Sequence, residues 1–140
     1  MPKSSRNTGE LWKTEPEAHD YPAALDYLSL ILPPVTAQRL VQALRTADTV
    51  HRKAKDLLRA SELPLLPAIN PHVKSDLRKI KRGQRLAPVL LVRGDAQRSG
   101  RRLTIADGYH RICASYMTDE DADIPCRIVD LPSRSSGTSG

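Results

Sequence analysis

Apolar positions recur at helical spacing through the first sixty residues. Leu25, Leu28 and Leu32 fall at i, i+3 and i+7 behind an acid-rich, Pro-marked start at residues 17–22. This pattern predicts a helix ended by Pro33-Pro34, whose rings remove donors and restrict the residue ahead. Leu40, Val41, Leu44 and Ala47 make the stripe of a second helix, with Thr36 positioned to cap it. Asp48 or Thr49 can cap a third, whose buried side holds Val50, Ala54, Leu57 and Leu58. Before these helices, residues 1–10 are polar and without period, which predicts a mobile arm, and Leu11-Trp12 is an apolar pair suited to docking on the body.

From residue 61 the period changes. Residues 61–69 are apolar but broken by Pro64 and Pro67, which suits an edge strand or an extended segment. Asn70-Pro71 places a cap and a first-turn proline ahead of Val73, Leu77 and Ile80, predicting a helix that stops near Gly83. Residues 88–92 (PVLLV) form the clearest strand, continuous and β-branched enough to be buried. A polar, hairpin-like connection over 94–100 leads to a strand at 103–106 and the Asp107-Gly108 corner. A helix from Tyr109 puts Tyr109, Ile112, Cys113 and Tyr116 on one face, with Arg111 and Ser115 away from it and His110 near its edge. Residues 124–129 (IPCRIV) close the pattern as a last strand, and the Ser/Gly-rich tail 133–140 reads as disordered. The implied fold class is α+β: a small sheet domain over 61–132, with the arm and helical region of 1–60 packed on it as one unit.

Composition narrows the function classes. The chain has 39% hydrophobic and 27% charged residues, with a formal charge of +6. An anionic partner follows from that balance: a nucleotide, nucleic acid or an anionic surface. Between Lys74 and Arg102 lie ten Lys/Arg against Asp76 and Asp95, whereas 119–123 (DEDAD) is acidic. Aromatics are scarce and Phe is absent, which argues against a stacking platform for single-stranded nucleic acid. Two cysteines and the lack of a secretory leader point to a reducing cytoplasm, and no apolar run reaches membrane-spanning length.

The chemistry concentrates at residues 106–114. A glycine-entered helix start presents unpaired N–H groups and the positive end of the helix dipole, and His110-Arg111 add cationic donors; together they make an anion site. Gly108 serves close phosphate approach or a turn with positive φ, and the two are compatible. Arg111 binds the anion, or pairs with Asp107 or the acidic loop. Asp107 is a helix cap by position, and also the one nearby carboxylate able to act as a general base. Lys74, Lys79, Lys81 and Arg82 either supplement the site or form a solvated face, and each reading stays open. A metal set of His72, His110 and Cys113 is disfavoured by Cys113's place on the buried face, so no metal-ligand set is assigned. His19-Asp20 sits at a helix start, where acids favour the dipole.

The order of these elements over about 62–131, with Gly108-Tyr109-His110-Arg111 at the corner, resembles the ParB/sulfiredoxin superfamily, whose members carry Gly-Cys-His-Arg or Gly-Glu-Arg-Arg there. The resemblance implies a mixed sheet and a phosphate grip for ATP or CTP, with Mg2+ as accompanying cation. Gly108, Tyr109, His110, Arg111 and Lys74 are the implied binding residues and Asp107 the implied catalytic one. Two departures follow. Tyr109 stands where sulfiredoxin has its cysteine, so sulfinic-acid reduction is not expected. The chain ends soon after Val129, without the DNA-binding and dimerisation regions of ParB, so a chromosome-partition clamp is not expected either. The expected function is nucleotide-phosphate binding, with phosphotransfer or NTP hydrolysis as the reaction it could serve. The alternative is a non-enzymatic module that binds nucleic acid through the basic surface or a protein partner through residues 17–58.

Overall fold

The computed structural model describes residues 11–95, 100 and 102–132; the arm 1–10, the tail 133–140 and most of the 94–100 connection lie outside the described residues. The elements, in chain order, are β1 (Leu11–Trp12), α1 (Asp20–Ile31), α2 (Pro34–Thr46), β2 (Thr49–Lys53), α3 (Ala54–Ser61), α4 (Pro71–Lys81), β3 (Arg85–Leu86), β4 (Val89–Arg93), β5 (Leu103–Asp107), α5 (Tyr109–Thr118) and β6 (Asp123–Asp130). The fold is α+β. A mixed four-stranded sheet runs β2-β6-β4-β5, parallel between β4 and β6 and antiparallel elsewhere, and β1 pairs in parallel with β3 beside it.

Strand β4 explains the layering. Its side chains alternate, so Val89 and Leu91 enter one core with α3, α4 and α5, while Leu90 and Val92 enter a second core with α1 and α2. Both faces of the strand are covered, which is why its sequence is continuously apolar. Gly94 N–H bonds to Arg102 O across the mouth of the β4–β5 hairpin. Near its other end, Leu91 pairs with Ile105 but Leu90 with Asp107, so Ala106 is bulged where the strand runs into the corner.

Several expectations need correction. Residues 49–53, read as the start of a helix, are a strand that pairs with β6 along its whole length. Thr-Val-His-Arg-Lys has one apolar side chain and therefore no readable period; its conformation is imposed by the partner strand, with Lys53 facing Asp123 at 3.8 Å. Ser61 ends α3, and residues 62–70 contain no strand: 63–67 are irregular, Asn70 N–H closes a turn on Pro67 O, and Leu63 and Leu66 pack on the first core. Helix α2 starts at Pro34 rather than behind Thr36, because a proline with its φ preset suits the first helical position. Ser115 is fully buried rather than directed away from the core. The cap at Asn70 is as predicted: its side chain accepts from the N–H groups of His72 and Val73 at 2.9 and 3.2 Å.

Arg127 fastens the second helical layer to the sheet. From β6 its buried side chain donates to Leu44 O and Arg45 O at the end of α2, and to the Tyr21 hydroxyl on α1. Its Nε also reaches Thr49 Oγ1 at 3.3 Å. The guanidinium thus satisfies helix-end carbonyls that would otherwise be buried without donors. Arg127→Met should lower the unfolding free energy by about 2–3 kcal/mol, the value of buried hydrogen bonds made by a charged donor; urea denaturation of both proteins measures it.

Candidate functional site

Helix α5 starts in a form that leaves its first N–H groups open. Gly108 precedes it at φ +111°, and the first helical hydrogen bond runs from Ile112 N to Gly108 O at 3.0 Å. The N–H groups of His110 and Arg111 therefore have no helical acceptor, and no side chain caps this end. Glycine is required on two counts. The positive φ is strained for other residues, and a Cβ would stand 2.4 Å from Val89 Cγ1 and 2.8 Å from Val89 Cβ.

Arg111 is the structural centre of the corner. Its Nη2 donates to Asp107 Oδ2 at 3.0 Å and to Pro88 O at 3.1 Å, and Nη1 lies 3.9 Å from Asp20 Oδ1. Nε is buried without a protein partner. Asp107 is therefore an ion-pair partner for Arg111, not a helix cap. The acidic loop pairs elsewhere, Asp121 with Lys55 and Asp123 with Lys53.

Around this corner is a polar cleft of about 240 Å³ lined by His72, Ser75, Asp76, Lys79, Asp107, Gly108, His110 and Arg111. One wall is α4, which contributes His72, Ser75, Asp76 and Lys79 at i, i+3, i+4 and i+7, a single helical stripe. The other wall is the corner itself. The His72 and His110 rings meet at a tilt of 41° with centroids 4.7 Å apart, and Lys79 Nζ sits 3.9 Å from Asp76 Oδ1. Gly108, His110, Arg111 and Asp107 thus share one cleft. Tyr109 and Lys74 do not line it: the Tyr109 hydroxyl donates to Pro64 O, and Lys74 is exposed off the α4 stripe, two residues from His72.

Three contributors were missed by the sequence reading. Asp76 and Ser75 follow from the spacing of His72 and Lys79, a signal present in the sequence. Asp20 has no such signal. It is 2% exposed, accepts a hydrogen bond from Glu17 N at 2.8 Å, and faces Arg111 from α1.

The titrating groups are tuned by burial. Burial raises the Asp107 carboxyl above its usual range; Arg111 opposes the rise and the neighbouring Asp20 adds to it. Asp76 is likewise raised by burial, against Lys79 and Arg111. Burial and then repulsion from His72 lower the His110 imidazole, although Asp76 works against this. Burial pushes the Cys113 thiol up and that of Cys126 up to about 12, so neither is a ready nucleophile. Among the described residues no group of three or more His, Cys, Asp or Glu is arranged to hold a metal ion. A magnesium ion fits only in the way that Mg2+ commonly binds, through one or two carboxylates with phosphate oxygens and water, and Asp76 and Asp107 are the carboxylates that would hold it.

Two outcomes follow. Gly108→Ala should cost about 3–5 kcal/mol, from backbone strain and overlap with Val89, and Val89→Ala in the same chain should recover part of that loss in chemical denaturation. Asp107 holds its proton in the native state above the ordinary value of 3.8, so between that value and its raised native value the folded chain binds more protons than the unfolded one. Its contribution to stability is therefore fully present at low pH and lost as pH rises through that window. Asp107→Asn should remove this falling component from a plot of unfolding free energy against pH.

No helix among the described residues is long and apolar enough to cross a membrane. Comparison with protein-family models, with curated proteins and with solved structures returned no match.

Proposed function

We propose that this protein binds the phosphates of a nucleoside triphosphate, ATP or CTP, at the N-terminus of α5 in the manner of the ParB/sulfiredoxin-like grip. One observation carries the reading: the first-turn N–H groups of His110 and Arg111, behind Gly108, share a cleft with Lys79, the Arg111 guanidinium and two imidazoles. Backbone donors at a helix start bind anions without needing a full counter-charge, and the adjoining cations add charge-assisted bonds. His110 enters this site neutral at pH 7, because burial and His72 hold its affinity for protons down. A phosphate dianion reverses that balance, so binding takes up a proton.

For phosphotransfer or hydrolysis the cleft supplies Asp107 and Asp76, carboxylates whose raised proton affinity suits a general base. Asp107 serves as one only after Arg111 turns from it towards the phosphate. Magnesium, held by whichever of the two carboxylates is not the base, would neutralise charge on the phosphate oxygens.

A second reading rests on the outer face of α4, where Lys74, Arg78, Lys81 and Arg82 are all exposed. Nucleic acid bound there would dissociate steeply with salt and would be indifferent to His110.

A thermal-shift panel of nucleoside triphosphates with and without magnesium tests the first reading. At about 100 times Kd, binding adds about 2.7 kcal/mol and should raise Tm by about 5–10 °C. His110→Ala and Lys79→Ala should each remove most of the shift, and the shift should grow as pH is lowered, because bound phosphate favours the protonated imidazole that burial and His72 otherwise disfavour. These variants are preferable to Arg111→Ala, which also removes the bonds to Pro88 and Asp107. No shift with any nucleotide at millimolar concentration would sink the reading.

A further inference from the structure

Lys79 lines two cavities. Beyond the cleft at α5 it also borders a second one of about 440 Å³, whose other lining residues are Lys13, Glu17, Gln84 and Arg85. This second cavity is built on ordered backbone. Strands β1 and β3 pair Leu11 with Arg85 and Trp12 with Leu86, Lys13 N–H bonds to Leu86 O at 2.7 Å, and Gln84 N–H bonds to Lys79 O at 2.8 Å. Arg85 is further steadied by Trp12 O at 3.4 Å. Three cations thus face one carboxylate, Glu17, which Lys13 engages directly and holds below its usual range. Neither cavity has a Trp, Tyr or Phe among its lining residues, and the only rings there are the His72 and His110 imidazoles of the first, already in contact with each other.

We propose that the two cavities form one track, joined at Lys79, for an extended phosphate chain. It rests on the reading of α5 as a phosphate grip. One end of the chain takes the backbone N–H groups and side chains of His110 and Arg111; the next phosphates pass Lys79 and reach Lys13 and Arg85. Lys and Arg side chains recur along the track and no Trp, Tyr or Phe lines it, so the phosphates are the main feature by which the ligand is recognised. The chain is that of a nucleoside triphosphate or of inorganic polyphosphate, which present the same oxygens.

The test is isothermal titration calorimetry on the full chain at fixed ionic strength, with pyrophosphate, tripolyphosphate, long-chain polyphosphate, ATP and CTP. Tripolyphosphate should bind about tenfold or more tighter than pyrophosphate. Lys13→Ala/Arg85→Ala should erase that gain while leaving pyrophosphate within about twofold, and Lys74→Ala/Arg78→Ala, equal in charge but off the track, should keep it. Circular dichroism melts of both double variants establish that they fold. ATP or CTP binding above tripolyphosphate assigns the track to a nucleotide; tighter binding of long-chain polyphosphate assigns it to the inorganic polymer. Pyrophosphate binding with no gain for the longer chain, or a gain that survives Lys13→Ala/Arg85→Ala, overturns the track and leaves the grip at α5 standing. Displacement of tripolyphosphate by a single-stranded oligonucleotide that binds more tightly also overturns it, in favour of a nucleic-acid groove. Absence of binding by every phosphate overturns both.

Discussion

The Arg111 guanidinium is the contact on which the rest of the corner depends. It donates to the Pro88 carbonyl ahead of β4 and to the Asp107 carboxylate at the end of β5, and pairs with the buried Asp20 carboxylate at the start of α1, three separate parts of the chain. A half-buried cation with this many partners holds them in one arrangement, and loss of one partner leaves charge without compensation. The helix start, the strand end and the helical layer therefore share one electrostatic node. It also accounts for the site's poise, because the same guanidinium that restrains Asp107 is one of the donors facing the cleft.

Packing sets the position of that node. Val89 fills the space beside Gly108 so closely that no side chain fits there, and the bulge at Ala106 aims the end of β5 into the corner. Covering β4 on both faces requires α1 and α2 on one side and α3, α4 and α5 on the other. The N-terminal helices are thus part of the core rather than an appendage to it, and Arg127 binds them to β6. One result of this layering is that Asp20, distant in sequence, arrives beside Arg111.

Much of the fold was legible because its signals are local. Asn70-Pro71, the buried run at 88–92 and the Asp107-Gly108 turn each act over a few residues, through capping, hydrophobic continuity and backbone freedom. The α4 stripe of His72, Ser75, Asp76 and Lys79 was equally readable, since helical period alone places these residues on one face. Lys74 was selected for its charge, and the same period puts it on another face.

By itself, the sequence determined an α+β chain with a glycine-entered helix start carrying His110 and Arg111, because capping, turn chemistry and periodicity are properties of neighbouring residues. Only the tertiary structure decided that residues 49–53 become a strand, that Asp20 is buried against Arg111, that Tyr109 turns away to Pro64, and that Lys79 joins two cavities. Each of these depends on a partner far along the chain. A polar segment takes its conformation, and a charged residue its burial, from what packs against it rather than from its neighbours in sequence.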